Sequence, residues 1–225
     1  TTINNVTSLA SVVHIIGKGP EWFAGMGTED SKGIHHLQIS GGVNTPGVFE
    51  VPMGITYREA IFDLAGGPST PAKAFIPGGT SCPLFPFDDE HLDLPMEYAS
   101  VAKAGSMLGT GGLIVIPEDQ CIVDAMYNLT RFYAHESCGK CTPCREGIST
   151  WLPMMFRKLL EGHGTPEDVT LMEDMVKNSR GTAFCPLADA CAWPVQTSIE
   201  RFRDEYEHLA HHGTPKHAPK SRWSA

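Results

Sequence analysis

The spacing of apolar residues changes once along the chain, and that change divides it. Between about Ile34 and Glu118 the apolar stretches are short and broken by Gly and Pro. Leu37 to Val43 alternates as a half-buried strand does, and Gly47-Val48-Phe49-Glu50-Val51-Pro52 reads as its neighbour across a turn of Gly, Asn and Pro. Thr56-Tyr57-Arg58-Glu59 fits a capping box, in which Thr56 accepts from the first turn and Glu59 reaches back. Ala60, Ile61 and Leu64 then form the buried side of a short helix that stops at Gly66-Gly67. Ala74 to Pro77 and Leu113 to Ile116 read as further strands. Strand, strand, helix, strand with tight turns predicts a small α+β domain.

From about Asp119 to Leu209 the period is helical. Ile122, Val123, Met126, Tyr127 and Tyr133 fall on one stripe. Ile148, Trp151, Leu152, Met155, Phe156, Leu159 and Leu160 follow the i, i+3, i+4 series closely. Thr165-Pro166 is an N-cap with Pro at the first helical position, opening a helix with Val169, Met172 and Val176 inside. Val195, Ile199, Phe202, Tyr206 and Leu209 make a fourth stripe. Four amphipathic helices with short connections predict a bundle. The expected divisions are therefore 1–33, a short helix through Val12, Val13 and Ile16 plus Gly-rich loop; 34–118, the α+β domain; 119–212, the bundle; and 213–225, a disordered tail.

The chemistry sits where one helix should end and the next begin. In Ser137-Cys138-Gly139-Lys140-Cys141-Thr142-Pro143-Cys144-Arg145-Glu146-Gly147, three cysteines recur at i, i+3 and i+6. A loop of that pitch wraps one iron–sulfur cubane so that each thiolate reaches a different iron. Gly139 and Gly147 allow sharp bends. Thr142-Pro143 reads as the cap and first turn of the following helix, which sets Cys144 where backbone N–H groups favour negative sulfur. Arg145 and Lys140 add positive charge beside an anionic cluster and are candidates for tuning it. A fourth thiolate must come from elsewhere. Cys185, before Pro186 in the loop between the third and fourth helices, belongs at the same pole of an up-down bundle; Cys191 is its rival. Structural zinc favours two separated C-x2–4-C pairs over a triplet and one distant cysteine, yet a zinc-stapled docking module remains the alternative from another class. A thioredoxin-like C-x-x-C pair needs no third cysteine. Cys82, Cys121 and Cys191 read as small buried residues, and His35-His36, His211 and His212 as solvated or packed.

Composition narrows the rest. Seven cysteines, three of them within seven residues, do not make a disulfide framework. The formal net charge of −9 argues against nucleic acid as a partner. No apolar run approaches the roughly 18–20 residues needed to cross a bilayer, so direct membrane insertion is not expected. The start, Thr1-Thr2-Ile3-Asn4-Asn5, reads as the interior of a longer chain.

Glu136-Ser137-Cys138-Gly139-Lys140-Cys141-Thr142-Pro143-Cys144-Arg145-Glu146-Gly147, with Thr182-Ala183-Phe184-Cys185, resembles the cluster-binding end of the NADH-binding flavoprotein subunit of respiratory complex I. Ile3-Asn4-Asn5-Val6, Ser40-Gly41-Gly42-Val43, Phe49-Glu50-Val51-Pro52-Met53-Gly54, Pro77-Gly78-Gly79, Ala104-Gly105-Ser106, Leu108-Gly109-Thr110 and Ala192-Trp193-Pro194-Val195-Gln196 continue the likeness to about Leu209. Flavoprotein subunits of NAD-reducing hydrogenases and formate dehydrogenases share these motifs. The resemblance implies an α+β chain, with a ubiquitin-like domain of the SLBB type followed by a four-helix bundle. It implies a [4Fe–4S] cluster held by Cys138, Cys141, Cys144 and Cys185, fed by FMN that NADH reduces. Asn4 and Asn5 match the edge of the flavin pocket. Implied partners are the upstream flavin/NADH domain, a thioredoxin-like [2Fe–2S] subunit and a large multi-cluster iron–sulfur subunit. The implied location is the cytoplasmic face of a bacterial inner membrane, or the matrix side of a mitochondrial one. The family's glycine-rich flavin and nucleotide loops do not occur here: Gly17, Gly19, Gly25, Gly27, Gly109, Gly111 and Gly112 make no G-x-G-x-x-G. The chain alone is therefore not expected to oxidise NADH, although the implied parent enzyme is an NADH:quinone oxidoreductase.

Overall fold

A computed structural model describes residues 1–216. Residues 217–225, most of the expected tail, lie outside the described residues.

The chain opens with helices α1 (Val6–Lys18) and α2 (Pro20–Ala24). Strands β1 (Ile34–Gly41) and β2 (Gly47–Pro52) come next, then α3 (Glu59–Leu64), a single π-wound turn. The expected capping box is present: Thr56 N–H donates to Glu59 Oε2 at 2.7 Å, and Glu59 N–H to Thr56 Oγ1 at 3.1 Å. Strand β3 (Ala72–Ile76), the short β4 (Phe85–Pro86), α4 (Asp89–Leu92), α5 (Tyr98–Lys103) and β5 (Gly112–Pro117) complete this part. Strand β4 and helices α4 and α5 give no periodic signal in the sequence because each is too short to show one.

The sheet order is β2-β1-β5-β3-β4, with β1 and β5 parallel at the centre and every other pair antiparallel. Leu37, Ile39, Phe75, Leu113 and Val115 point to one face, onto Tyr57, Ala60 and Ile61 around α3. Ala74, Ile76 and Ile116, at the alternate positions, point to the other face and join the core of the bundle. The period-2 pattern of β3 and β5 thus serves two cores, and these strands are buried on both faces.

The bundle consists of α6 (Ile122–Glu136); α7, π-wound over Pro143–Trp151 and α-helical over Leu152–Leu160; α8 (Pro166–Ser179); α9 (Leu187–Arg201); and α10 (Arg203–His212). Helix α8 starts on a full capping box between Thr165 and Asp168. Two expectations need correction. The fourth stripe is not one helix: the chain breaks at Phe202 (φ −127°, ψ 33°), and Tyr206 and Leu209 return to the core from a separate helix. Nor does Thr142 cap α7, because its backbone is already helical (φ −56°, ψ −45°) and its side chain accepts no cap hydrogen bond.

Three contacts lock sheet to bundle. Lys73 of β3 forms an ion pair with Glu205 of α10, both side chains buried. The second oxygen of Glu205 accepts the N–H of Ile122 at 3.1 Å, so one carboxylate holds β3 and the first turn of α6 together. Ser81 Oγ lies 2.7 Å from Tyr133 OH, and Leu84 N–H donates to Thr197 Oγ1 at 3.1 Å.

Candidate metal centre

Helix α6 ends at Glu136, and Ser137 turns the chain out of it with extended dihedrals. Gly139 follows at φ +75°, a left-handed conformation that a side chain disfavours, and it lets the chain double back within three residues. The chain re-enters helix at Pro143, making Cys144 the second residue of α7. Arg145 N–H donates to Cys141 O at 2.8 Å. The wide π winding that follows has a local partner, since Thr150 Oγ1 donates to the carbonyl of Arg145, five residues back, at 2.8 Å.

The loop between α8 and α9 meets this turn. Phe184 N–H donates to Cys141 Sγ at 3.3 Å, which puts the residue before Cys185 against the cysteine triplet. The Lys140 ammonium lies 4.1 Å from the centroid of the Phe184 ring and joins the two loops a second time. The short bundle connections therefore bring the two loops to one pole.

The thiols are graded in exposure. Cys144 is buried against the bundle core, Cys141 is half-buried, and Cys138 and Cys185 are exposed. Cys82, Cys121 and Cys191 are all buried, as the sequence predicted. Burial pushes the Cys82 thiol up to about 11 and that of Cys121 upward. Cys191 is pushed up furthest, by burial and then by the nearness of Cys144. A thiol so enclosed is costly to ionise, and Cys191 is the poorer fourth donor on that ground.

The remaining groups suit anionic sulfur. Ser137 Oγ lies 3.3 Å from Cys144 Sγ and accepts the N–H of Gly139 at 3.3 Å, which leaves its own proton for a Cys144 thiolate. Arg145 donates from one guanidinium nitrogen to Gly139 O at 2.9 Å and from another to Glu146 Oε1 at 2.8 Å. It therefore clamps the cysteine loop while its charge is partly balanced. Ser137 and Phe184 fall inside the segments that carry the resemblance, but nothing in the sequence says that they meet the cysteine sulfurs. Asn5 is the N-cap of α1, its Oδ1 accepting from Thr7 N–H at 2.8 Å, and Asn4 is exposed.

Among the described residues no three of Cys, His, Asp or Glu converge as a single bound ion would require. A cubane asks for something else: four thiolates spread over four corners, with N–H and O–H donors aimed at sulfur. Two loops carrying four free thiols, an amide donor on Cys141 and a hydroxyl beside Cys144 fit that group.

Residues 124–209 match the family model described as the NADH-ubiquinone oxidoreductase-F iron-sulfur binding region, and residues 37–85 match the SLBB domain. The F subunit of NADH-quinone oxidoreductase from Streptomyces coelicolor is 46% identical over 224 residues, covering 98% of this chain and 49% of that protein. The F subunit from Mycobacterium tuberculosis is 48% identical over 213 residues, covering 94% and 46%. A solved structure of an NAD+-reducing [NiFe]-hydrogenase in the H2-reduced state superposes with a TM-score of 0.82 at 31% identity, covering 93% of this chain and 35% of that one. This chain spans about half the length of these two bacterial relatives. The chain thus carries an SLBB domain and the iron–sulfur binding region of NADH-ubiquinone oxidoreductase F, and over nearly its whole length it is similar to NADH-quinone oxidoreductase F subunits.

Proposed function

We propose that Cys138, Cys141, Cys144 and Cys185 hold a [4Fe–4S] cluster through which this segment relays single electrons, from FMN reduced by NADH toward further iron–sulfur centres. The observation that carries this reading is the hydrogen bond from Phe184 N–H to Cys141 Sγ, which draws the fourth cysteine's loop onto the triplet. A bound cluster supplies the one-electron chemistry that no side chain offers at ordinary potentials.

The chain's own residues orient and tune. The Phe184 amide and the Ser137 hydroxyl donate to sulfur and draw electron density from it, which favours the reduced cluster. Arg145 and Lys140 add positive charge on the same side. Ile148 and Leu152, both fully buried, belong to the same apolar core as Cys144 and give the site a dry inner side. The exposed Cys138 and Cys185 leave the other side open to a partner's redox centre.

In this reading the segment acts as part of an NADH:quinone oxidoreductase within a multi-subunit complex. Its neighbours are the flavin/NADH domain, a thioredoxin-like [2Fe–2S] subunit and a large multi-cluster subunit. Asn4 and Asn5 border the flavin. Among the described residues no helix is long and apolar enough to cross a membrane, in keeping with a peripheral position on the cytoplasmic or matrix face. The likeness to the hydrogenase structure favours one second reading, a diaphorase subunit of a soluble NAD-reducing hydrogenase.

Low-temperature EPR on anaerobically purified, dithionite-reduced protein, with iron and zinc measured on the same sample, tests the proposal. The expected result is a fast-relaxing S = 1/2 signal and about four irons per chain. Zinc without a signal would make the segment a structural docking module instead.

A further inference from the structure

Helix α10 ends with histidines at positions 208, 211 and 212. His208 and His212 are spaced i, i+4 and so share one face of the helix. Their ring centroids are 4.5 Å apart with the planes inclined at 45°, whereas the rings of His211 and His212 are 6.5 Å apart. Two imidazoles one turn apart and this close can direct one nitrogen each to a single ion, as paired histidines at this spacing do in helical zinc sites. His208 is half-buried and His212 exposed, which holds one ring and leaves solvent access for the other ligands of the ion.

The surroundings favour a cation. The pair lies in the last turn of α10, where unpaired carbonyls give the helix end a partial negative charge. The turn is also fixed in place. Gly213 closes the helix at φ +65°, its N–H donating to Leu209 O at 2.9 Å, and its backbone packs against that of Gly162 in the α7–α8 connection. Fixing the rings before the ion arrives lowers the ordering cost of binding.

We infer that His208 and His212 form a second metal site, separate from the cysteine pole, for a late first-row divalent cation of the Zn2+, Ni2+ or Cu2+ class. Two protein nitrogens bind and water completes the coordination. An ion bound there clips the last turn of α10, the helix that supplies Glu205 to the sheet–bundle seam and Tyr206 to the core, and so stabilises the folded chain by mass action.

The test is a Cu2+ titration, followed by EPR, of the anaerobically purified, cluster-loaded protein, in which the cluster thiolates are occupied and the cluster in its [4Fe–4S]2+ state is silent. The expected result is one tight equivalent of Cu2+ whose spectrum shows two imidazole nitrogens. His208→Ala and His212→Ala should each weaken that equivalent at least tenfold, with loss of the two-nitrogen pattern, while His211→Ala leaves it. His212 is exposed, so its replacement does not disturb packing. Undiminished binding in His212→Ala, or an equal loss in His211→Ala, overturns the site. Iron content, measured on the same samples, reports on the cysteine cluster independently.

Discussion

The backbone N–H of Phe184 donates to Sγ of Cys141 at 3.3 Å, across 43 positions of sequence. Because the donor is a main-chain group beside Cys185, the contact fixes where the α8–α9 loop sits whatever side chain residue 184 carries. Cys191 instead lies within α9, enclosed in the core. Cys185→Ala should therefore abolish the four-iron cluster, with iron falling well below four per chain. Cys191→Ala should retain iron and signal. Iron analysis and EPR on both variants distinguish the two donors.

Arg145 both clamps Gly139 O and carries charge beside the thiolates. Arg145→Ala should lower the cluster's midpoint potential, since a nearby positive charge favours the reduced, more negative state. Arg145→Lys should shift it less, keeping the charge while losing the fork that reaches Gly139 O and Glu146 together. An EPR-monitored redox titration in which Arg145→Ala matches the wild type would remove Arg145 from the tuning set.

The buried pair of Lys73 and Glu205 joins β3 to α10. Removing one member of such a pair strands a charge, which costs about 3–5 kcal/mol, whereas replacing both with apolar groups of similar volume costs little. Lys73→Ala should lower the unfolding free energy obtained from urea titration by an amount in that range, seen as a lower midpoint at unchanged m. The Lys73→Met, Glu205→Leu double variant should recover part of the loss, the remainder reflecting the Ile122 N–H that Glu205 no longer accepts.

Glu173 on α8 binds Lys177 at 2.7 Å and also pairs with Arg203 on α10. The Lys177 hydrogen bond, opposed by partial burial and helped by Arg203, holds its carboxyl below the ordinary glutamate value. A depressed native pKa gives stability that is fully present above the unfolded value, about 4.3, and is lost as pH falls from there through the native value. The stability difference between wild type and Glu173→Gln should thus be largest near neutrality and shrink below about pH 4.3. Thermal melts of both proteins across pH 7 to 3 measure it.

Much of this protein is legible from its sequence alone. The triplet Cys138, Cys141, Cys144 is legible because its spacing is local, and a local spacing survives whatever the rest of the chain does. The Thr56–Glu59 capping box and the Thr165 N-cap are legible for the same reason, whereas the reciprocal bond from Asp168 came from the structure. The strands β1, β2, β3 and β5 and the bundle stripes follow from periodicity, which records which side of each element is buried.

What only the tertiary structure decided are relations between distant residues. The sequence pattern shows that Ala74 and Phe75 are apolar; the fold shows that they serve opposite cores, because β3 lies between α3 and the bundle. It could not show the break at Phe202, since the stripe continues through it: α10 changes direction but returns Tyr206 and Leu209 to the same core. It could not show that Glu205 faces both Lys73 and the start of α6, nor that the Phe184 amide donates to Cys141 and the Ser137 hydroxyl lies beside Cys144. A hydrogen bond across the fold leaves no period in the chain. Its partners are chosen by packing, and packing exists only once the chain has folded.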